Sequence, residues 1–222
     1  DALTDLESQL RDVLSMPEKI LRGPTMFVGD LLDIEAQVRN RRTPEWVEAN
    51  IIALENSGLT KDEITEIFNS ENYAMVTAEN PNVQATGDRS NAANNKRAED
   101  YLKKKGYKYH RIVGKYGNGE YSFLVEGMTR EDAAEFARQF DQESVAHKDG
   151  LVLRDGSMQV FEEGVGFDDG YTDYFSAIKD SNGNTIRFAK SLSDKFVDVD
   201  GNEITQEDFD NRVTDLATNM DK

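Results

Sequence analysis

Glu120 and Ser122 stand two residues apart in a β-prone run, and Thr77 ends another, so a carboxylate and two hydroxyls can share one face of a sheet. A carboxyl group of tuned pKa beside a hydroxyl is the grouping in this chain best suited to proton transfer, although no histidine adjoins it to activate the hydroxyl. Asn80, Ser90, Asn91 and Asn94 add amides and a hydroxyl around a predicted helix start, with Ser90 as its cap and Asn91 and Asn95 four apart on one helical face. Thr77, Asn80, Ser90, Asn91, Asn94, Glu120 and Ser122 are therefore the candidate ligand-binding residues. They would form a polar rim for an anion or an amide-bearing ligand, helped by the helix N-terminus. The competing reading is that Asn80 and Ser90 only satisfy loop and helix-end backbone groups while Glu120 pairs locally. No residue is assigned a catalytic role.

Other constellations point to turns and surfaces. Asp198, Asp200, Asn202 and Glu203 resemble a calcium loop, but placing Gly201 at the sixth position puts Phe196 at the first, where a carboxylate is required. A two-residue Asp-Gly hairpin explains the same letters. Asp180, Asn182 and Asn184 also lack the required glycine, so no metal site is assigned. Gly114, Gly117 and Gly119 lie between strands and do not open a helix, so they make no dinucleotide fingerprint. His110, in a strand beside Tyr109 and Arg111, reads as a half-exposed strand residue. Arg39, Arg41 and Arg42 could touch phosphate, but read more simply as a solvated helix end.

Composition narrows the function classes. Forty-three acidic against twenty-six basic residues give a net charge of −17, which opposes binding to phosphate backbones and anionic lipid. Direct nucleic-acid binding is not expected. An acidic mimic of nucleic acid, occupying a DNA-binding partner, is an outside alternative. The absence of cysteine excludes thiolate metal sites and cysteine nucleophiles, and His110 and His147 alone make no multi-histidine centre. No cofactor is implied. No window approaches the ~18 apolar residues that span a bilayer, so no membrane contact is expected and the chain is expected to be cytoplasmic or part of a virion.

Positioning elements are legible in the apolar spacing and the caps. Residues 1–70 read as a helical segment: Leu3, Leu6, Leu10, Val13 and Leu14 share a face, and Thr43-Pro44 opens a helix carrying Trp46, Val47, Ile51 and Ile52, with Gly58 as its C-cap. Thr60 with Glu63 makes a capping box for a helix through Phe68. Residues 71–161 read as an α+β core: a strand at 73–77, a helix from Ser90 to Lys105, strands at 107–116 and 120–126, a helix at 131–139, and short strands at 144–147 and 151–153. The order strand, helix, strand, strand, helix, strand predicts a ferredoxin-like, split βαβ domain. Residues 162–222 read as an extension: an exposed acidic linker, hairpins about Asn182-Gly183 and Asp200-Gly201, and a helix from Gln206 to Asn219.

Within the core, Thr77-Ala78-Glu79-Asn80-Pro81, then Glu120-Tyr121-Ser122-Phe123-Leu124-Val125, then Phe140, Gln142 and Ser144 resemble a bacterial and phage family catalogued as domain of unknown function 3293. The resemblance covers residues 73–153. That family often has an aromatic residue before the asparagine of the first element, where this chain has Glu79. The family brings no established activity, so the resemblance implies context only: domains in phage and mobile-element proteins, some of them long polyproteins, which suits a chain that does not begin with Met. The reading favoured by sequence is thus a non-enzymatic protein-binding or structural module, of phage virion or polyprotein context, with protein partners. An enzyme or small-ligand-binding domain using the polar rim is the alternative.

Overall fold

The structure, a computed structural model, describes residues 42–218 apart from 82–87, 117 and 173. The helix expected around Leu3 to Leu14, the arginines Arg39 and Arg41, and Asn219 at the expected end of the last helix lie outside the described residues.

Caps written in the sequence start the helices. Thr43 accepts a hydrogen bond from the Trp46 amide, with Pro44 in the first turn, and opens α1 (Pro44–Ala53). The helix ends at Leu54, short of Gly58, whose positive φ serves the following loop instead. Thr60 and Glu63 close the reciprocal capping box of α2 (Lys61–Asn69). The third helix, α3 (Asp88–Lys105), begins two residues before Ser90, which is therefore an exposed first-turn residue and not the cap. Thr129 caps α4 (Arg130–Gln139), and α5 (Gln206–Thr218) follows the last hairpin.

The strands are β1 (Tyr73–Val76), β2 (Tyr109–Tyr116), β3 (Asn118–Glu126), β4 (Ser144–His147), β5 (Gly150–Leu153), β6 (Met158–Phe161), β7 (Gly166–Phe167), β8 (Phe175–Lys179), β9 (Thr185–Ala189), β10 (Leu192–Val197) and β11 (Glu203–Ile204). All eleven join one sheet in the order β11-β10-β6-β5-β4-β1-β3-β2-β8-β9-β7, and every paired neighbour is antiparallel.

This overturns the expectation of a ferredoxin-like, split βαβ domain. Such a domain closes its sheet at the strands corresponding to β4 and β2, whereas here both of those strands have further partners. Tight turns at Lys148-Asp149 and at 154–157 fold β5 back onto β4 and β6 back onto β5. On the other side β8 pairs Ser176 with Gly114 and Ala177 with Val113, adding the C-terminal hairpins to β2. Unpaired strand edges are templates, and sequential hairpins extend them cheaply. The acidic stretch expected to be a linker also contributes to the sheet, through β7 on β9.

Because successive strand side chains alternate faces, the sheet needs cover on both. Phe123 and Val125 pack with Ala98 and Leu102 of α3 and with Ala133, Phe136 and Ala137 of α4. Leu124 and Ile112 instead join Ile64, Ile67 and Phe68 of α2, together with Ile178 and Phe188. Helix α1 has its own contact, in which Val47, Ile51 and Leu54 meet Val113, Phe175 and Ala177. The approach is close at Gly119, where an added Cβ would sit 2.6 Å from Val47 Cγ2 and 2.8 Å from the Trp46 ring. Only a residue without a side chain admits α1 at this distance. Gly119→Ala is accordingly expected to lower stability by about 1–3 kcal/mol through displacement of α1, read as a lower midpoint in urea denaturation, while Gly58→Asn, in a position with nothing near it, changes the midpoint much less.

Candidate functional site

The pairing of β1 with β3 stops at Val76 opposite Phe123, so the next backbone groups of β3 on that side need other partners. The segment following β1 supplies them with side chains. Thr77 Oγ1 donates to the Tyr121 carbonyl at 2.9 Å, and the Tyr121 amide donates to Glu79 Oε2 at 3.2 Å. Asn95 of α3 also donates to the Tyr121 carbonyl, at 3.3 Å.

The same segment is held from α3 and from the turn after α4. The Ala78 amide donates to Asn95 Oδ1 at 3.2 Å, and the Asn80 amide to Asn91 Oδ1 at 2.9 Å. Asn91 returns a bond from Nδ2 to Asn80 Oδ1 at 3.1 Å. Asn80 has φ of 49°, a left-handed conformation that asparagine tolerates better than most residues. Gln142 Nε2 donates to the Glu79 carbonyl at 3.0 Å.

These bonds fix Glu79, whose residue is 2 % exposed. Its carboxylate accepts from Arg42 through both guanidinium nitrogens, Nη1 to Oε2 and Nη2 to Oε1, the latter at 3.3 Å. Asn95 Nδ2 donates to Glu79 Oε1 at 2.9 Å. Arg42 is also buried, donates to the Gly119 carbonyl at 3.1 Å, and lies 4.2 Å from the Trp46 ring centroid and 5.6 Å from that of Tyr121. A forked guanidinium on a carboxylate, with aromatic faces over its plane, is the arrangement that makes burial of an ion pair tolerable.

Glu120 points along the other face of β3, where Ser122 Oγ donates to its Oε1 at 3.4 Å. Burial, and next the negative charge of Glu79, push the Glu120 carboxyl up to about 7, against smaller opposing effects of the Ser122 bond and the Arg42 charge. At neutral pH it is therefore near its midpoint, a state suited to giving or taking a proton.

Beside this cluster lies a cleft of about 420 Å³ between α1, α3 and the β2–β3 hairpin, with Asn50, Leu54, Asn95, Arg111, Tyr121 and Ser122 among its walls. Tyr121 hydroxyl donates to Asn50 Oδ1, tying the sheet to α1. At the rim Arg111 donates to Glu55 at 3.1 Å and to Glu99 at 3.0 Å. Burial by itself would raise the Glu99 carboxyl, but the Tyr109 hydroxyl bond and the Arg111 charge outweigh it and hold it below the usual range.

Of the residues expected from sequence, Thr77, Asn80 and Asn91 join the framework around Glu79, and Glu120 and Ser122 lie along the adjoining stretch of β3. Ser90 is exposed, and Asn94 is half-buried without a hydrogen-bond partner among the described residues. Asn95, one position on, is the inward-facing amide. The reading of Arg42 as solvated surface is also corrected, since it is 9 % exposed and ion-paired. His110 is buried, not half-exposed, and its Nε2 lies 2.7 Å from Glu126. Asp180 and Asp198 turn their carboxylates onto their own hairpins, accepting from Asn184 and Asn202 amides at 2.8 Å. No helix among the described residues is long and apolar enough to cross a membrane.

Two outcomes test this geometry. Removing one member of the buried pair, as in Arg42→Met or Glu79→Gln, is expected to cost about 3–5 kcal/mol, whereas the double variant recovers a large part of that loss; chemical denaturation of the four proteins measures the cycle. Glu120 holds its proton to about pH 7 in the native chain but releases it near 4.5 when unfolded. Its stabilising contribution is thus fully present below pH 4.5 and lost as the pH rises through 7. Glu120→Gln should therefore gain on the parent across that window, by on the order of 3 kcal/mol, and run parallel to it above, as followed by thermal melts at stepped pH.

Neither the curated proteins nor the solved structures yield a match to this chain. Residues 76–145 match the family described as "Protein of unknown function (DUF3293)", the resemblance that the three sequence elements carry. The matched segment contains Glu79, Asn91, Asn95, Tyr121 and Gln142, but neither Arg42 nor α1. The chain is thus similar to that family across the framework that fixes Glu79, and brings the partner of Glu79 from outside the match.

Proposed function

We propose that the chain binds a small molecule in the cleft between α1, α3 and the β2–β3 hairpin. The observation that carries this reading is the cleft itself: its volume of about 420 Å³ falls in the ~300–1,000 Å³ range of small-ligand sites. Its lining is apolar at Leu54 and Phe123, and polar groups converge on it from three elements. Asn50 uses one N–H on the Trp46 carbonyl and one lone pair on Tyr121, so it retains one of each for a ligand.

Binding is favoured over catalysis because Glu120 is not part of the cleft wall and reaches it only through Ser122. It is favoured over the protein-docking module expected from sequence because α1 and α2 bury Val47, Ile51, Ile64, Ile67 and Phe68 on the sheet. Ile52, 73 % exposed, is the one large apolar side chain that these two helices leave in solvent, and single exposed apolar residues are ordinary.

A thermal-shift screen of amino acids, sugars, nucleosides and organic acids tests the reading, with Ala92→Trp as the blocking variant, since Ala92 is an exposed residue of α3 that lines the cleft. A ligand at about a hundredfold over its Kd is expected to stabilise by roughly 2.7 kcal/mol, a rise of about 5–10 °C, and to lose that effect in Ala92→Trp. Stabilisation that survives the block, or no stabilising compound, would refute it.

A further inference from the structure

The rim of the cleft holds an arginine whose two anchors are unequal. Arg111 Nη2 donates to Glu99 at 3.0 Å, and the Glu99 side chain is only 12 % exposed. That carboxylate is fixed by two more groups, the Tyr109 hydroxyl at 2.8 Å and Lys103 at 3.5 Å. Arg111 Nη1 donates instead to Glu55 at 3.1 Å, and the Glu55 side chain is 78 % exposed and lies past the end of α1. The first contact orients the guanidinium. The second is an exposed ion pair of the kind that adds little stability and breaks readily.

Resting on the cleft reading above, we infer that the ligand carries a single carboxylate, which takes the place of Glu55 on Arg111. Exchange of one carboxylate for another leaves the hydrogen bonds and the charge of Arg111 matched, so binding creates no unpaired buried group. The charge balance selects the same class. With Glu55 turned out to solvent, Lys96 of the cleft wall remains paired with Asp100, while Arg111 and Lys103 share the single carboxylate of Glu99, a net of one positive charge. A monocarboxylate neutralises it, whereas an ammonium group would add to it and a phosphate dianion would leave an excess negative charge. Leu54 and Phe123 suit an apolar body behind the carboxylate.

The test is an NMR chemical-shift titration with N-acetyl-L-leucine, 3-phenylpropionate and benzoate, each compared with its own primary amide. The acids are expected to bind at least tenfold more tightly than the amides. Arg111→Met is expected to weaken them about tenfold to a hundredfold, and Glu55→Gln to tighten them about twofold to fivefold by removing the competing carboxylate. Since Arg111→Met also strips a partner from Glu99 and could unsettle the fold, the gain in Glu55→Gln is the decisive variant. Amides that bind as well as the acids, with shifts in the cleft, overturn the carboxylate inference while the cleft reading stands. Acids that bind without any response to Glu55→Gln, or no binding by either set, overturn the inference.

Discussion

The buried ion pair between Arg42 and Glu79 is the interaction on which the arrangement of the site depends. A carboxylate removed from water must be compensated almost completely, and here the compensation comes from three directions: the guanidinium of Arg42, the Asn95 amide and the backbone amide of Tyr121. Those donors sit on three different parts of the fold, Arg42 just ahead of α1, Asn95 in α3 and Tyr121 in β3. Satisfying one carboxylate therefore sets the position of the N-terminal end of α1, the first part of α3 and the middle of β3 relative to one another.

The cleft is what that arrangement leaves between them. Its walls are α1 and α3, its floor is the β2–β3 hairpin, and the Tyr121 hydroxyl on Asn50 spans from sheet to helix. The match to the uncharacterised family stops short of α1, so one wall of the cleft is contributed by a segment outside the matched region. Glu79 explains how such a wall is held in place: an acidic residue in the first motif gives a flanking arginine something to bind.

Much of the local structure was legible. Thr43-Pro44, Thr60 with Glu63 and Thr129 mark helix starts because capping chemistry is local, and the placement of Thr77 and Asn80 just after β1 and of Glu120 and Ser122 within β3 follows from the clear apolar alternation of those strands. The helical steps Asn91, Asn95, Ala98 and Leu102 put two amides in line with the buried face of α3, which is why Asn95 and not Asn94 turns inward. What escaped is non-local. Arg42 and Glu79 are 37 residues apart, and nothing in the spacing of either says that they meet; Arg42 read as one of a surface cluster, Glu79 as a departure from a motif. The extent of the sheet escaped for a similar reason, since each hairpin predicts its own two strands but not the edge on which it docks. The pairing of Gly114 with Ser176 is visible only in three dimensions.

The way the sheet ends has a consequence for solution behaviour. Among the described residues, both outermost strands, β7 and β11, are two residues long. Beyond β11, the uncovered part of β10 carries exposed Asp194 and Lys195. An antiparallel sheet of eleven strands could recruit a strand from another molecule at either border and grow into a fibre. Borders this short, one of them continued by charged side chains, offer an incoming chain few backbone groups to pair with, and the repulsion between molecules each bearing a net charge of −17 opposes the encounter itself. The large sheet is thereby protected from self-association at its own margins.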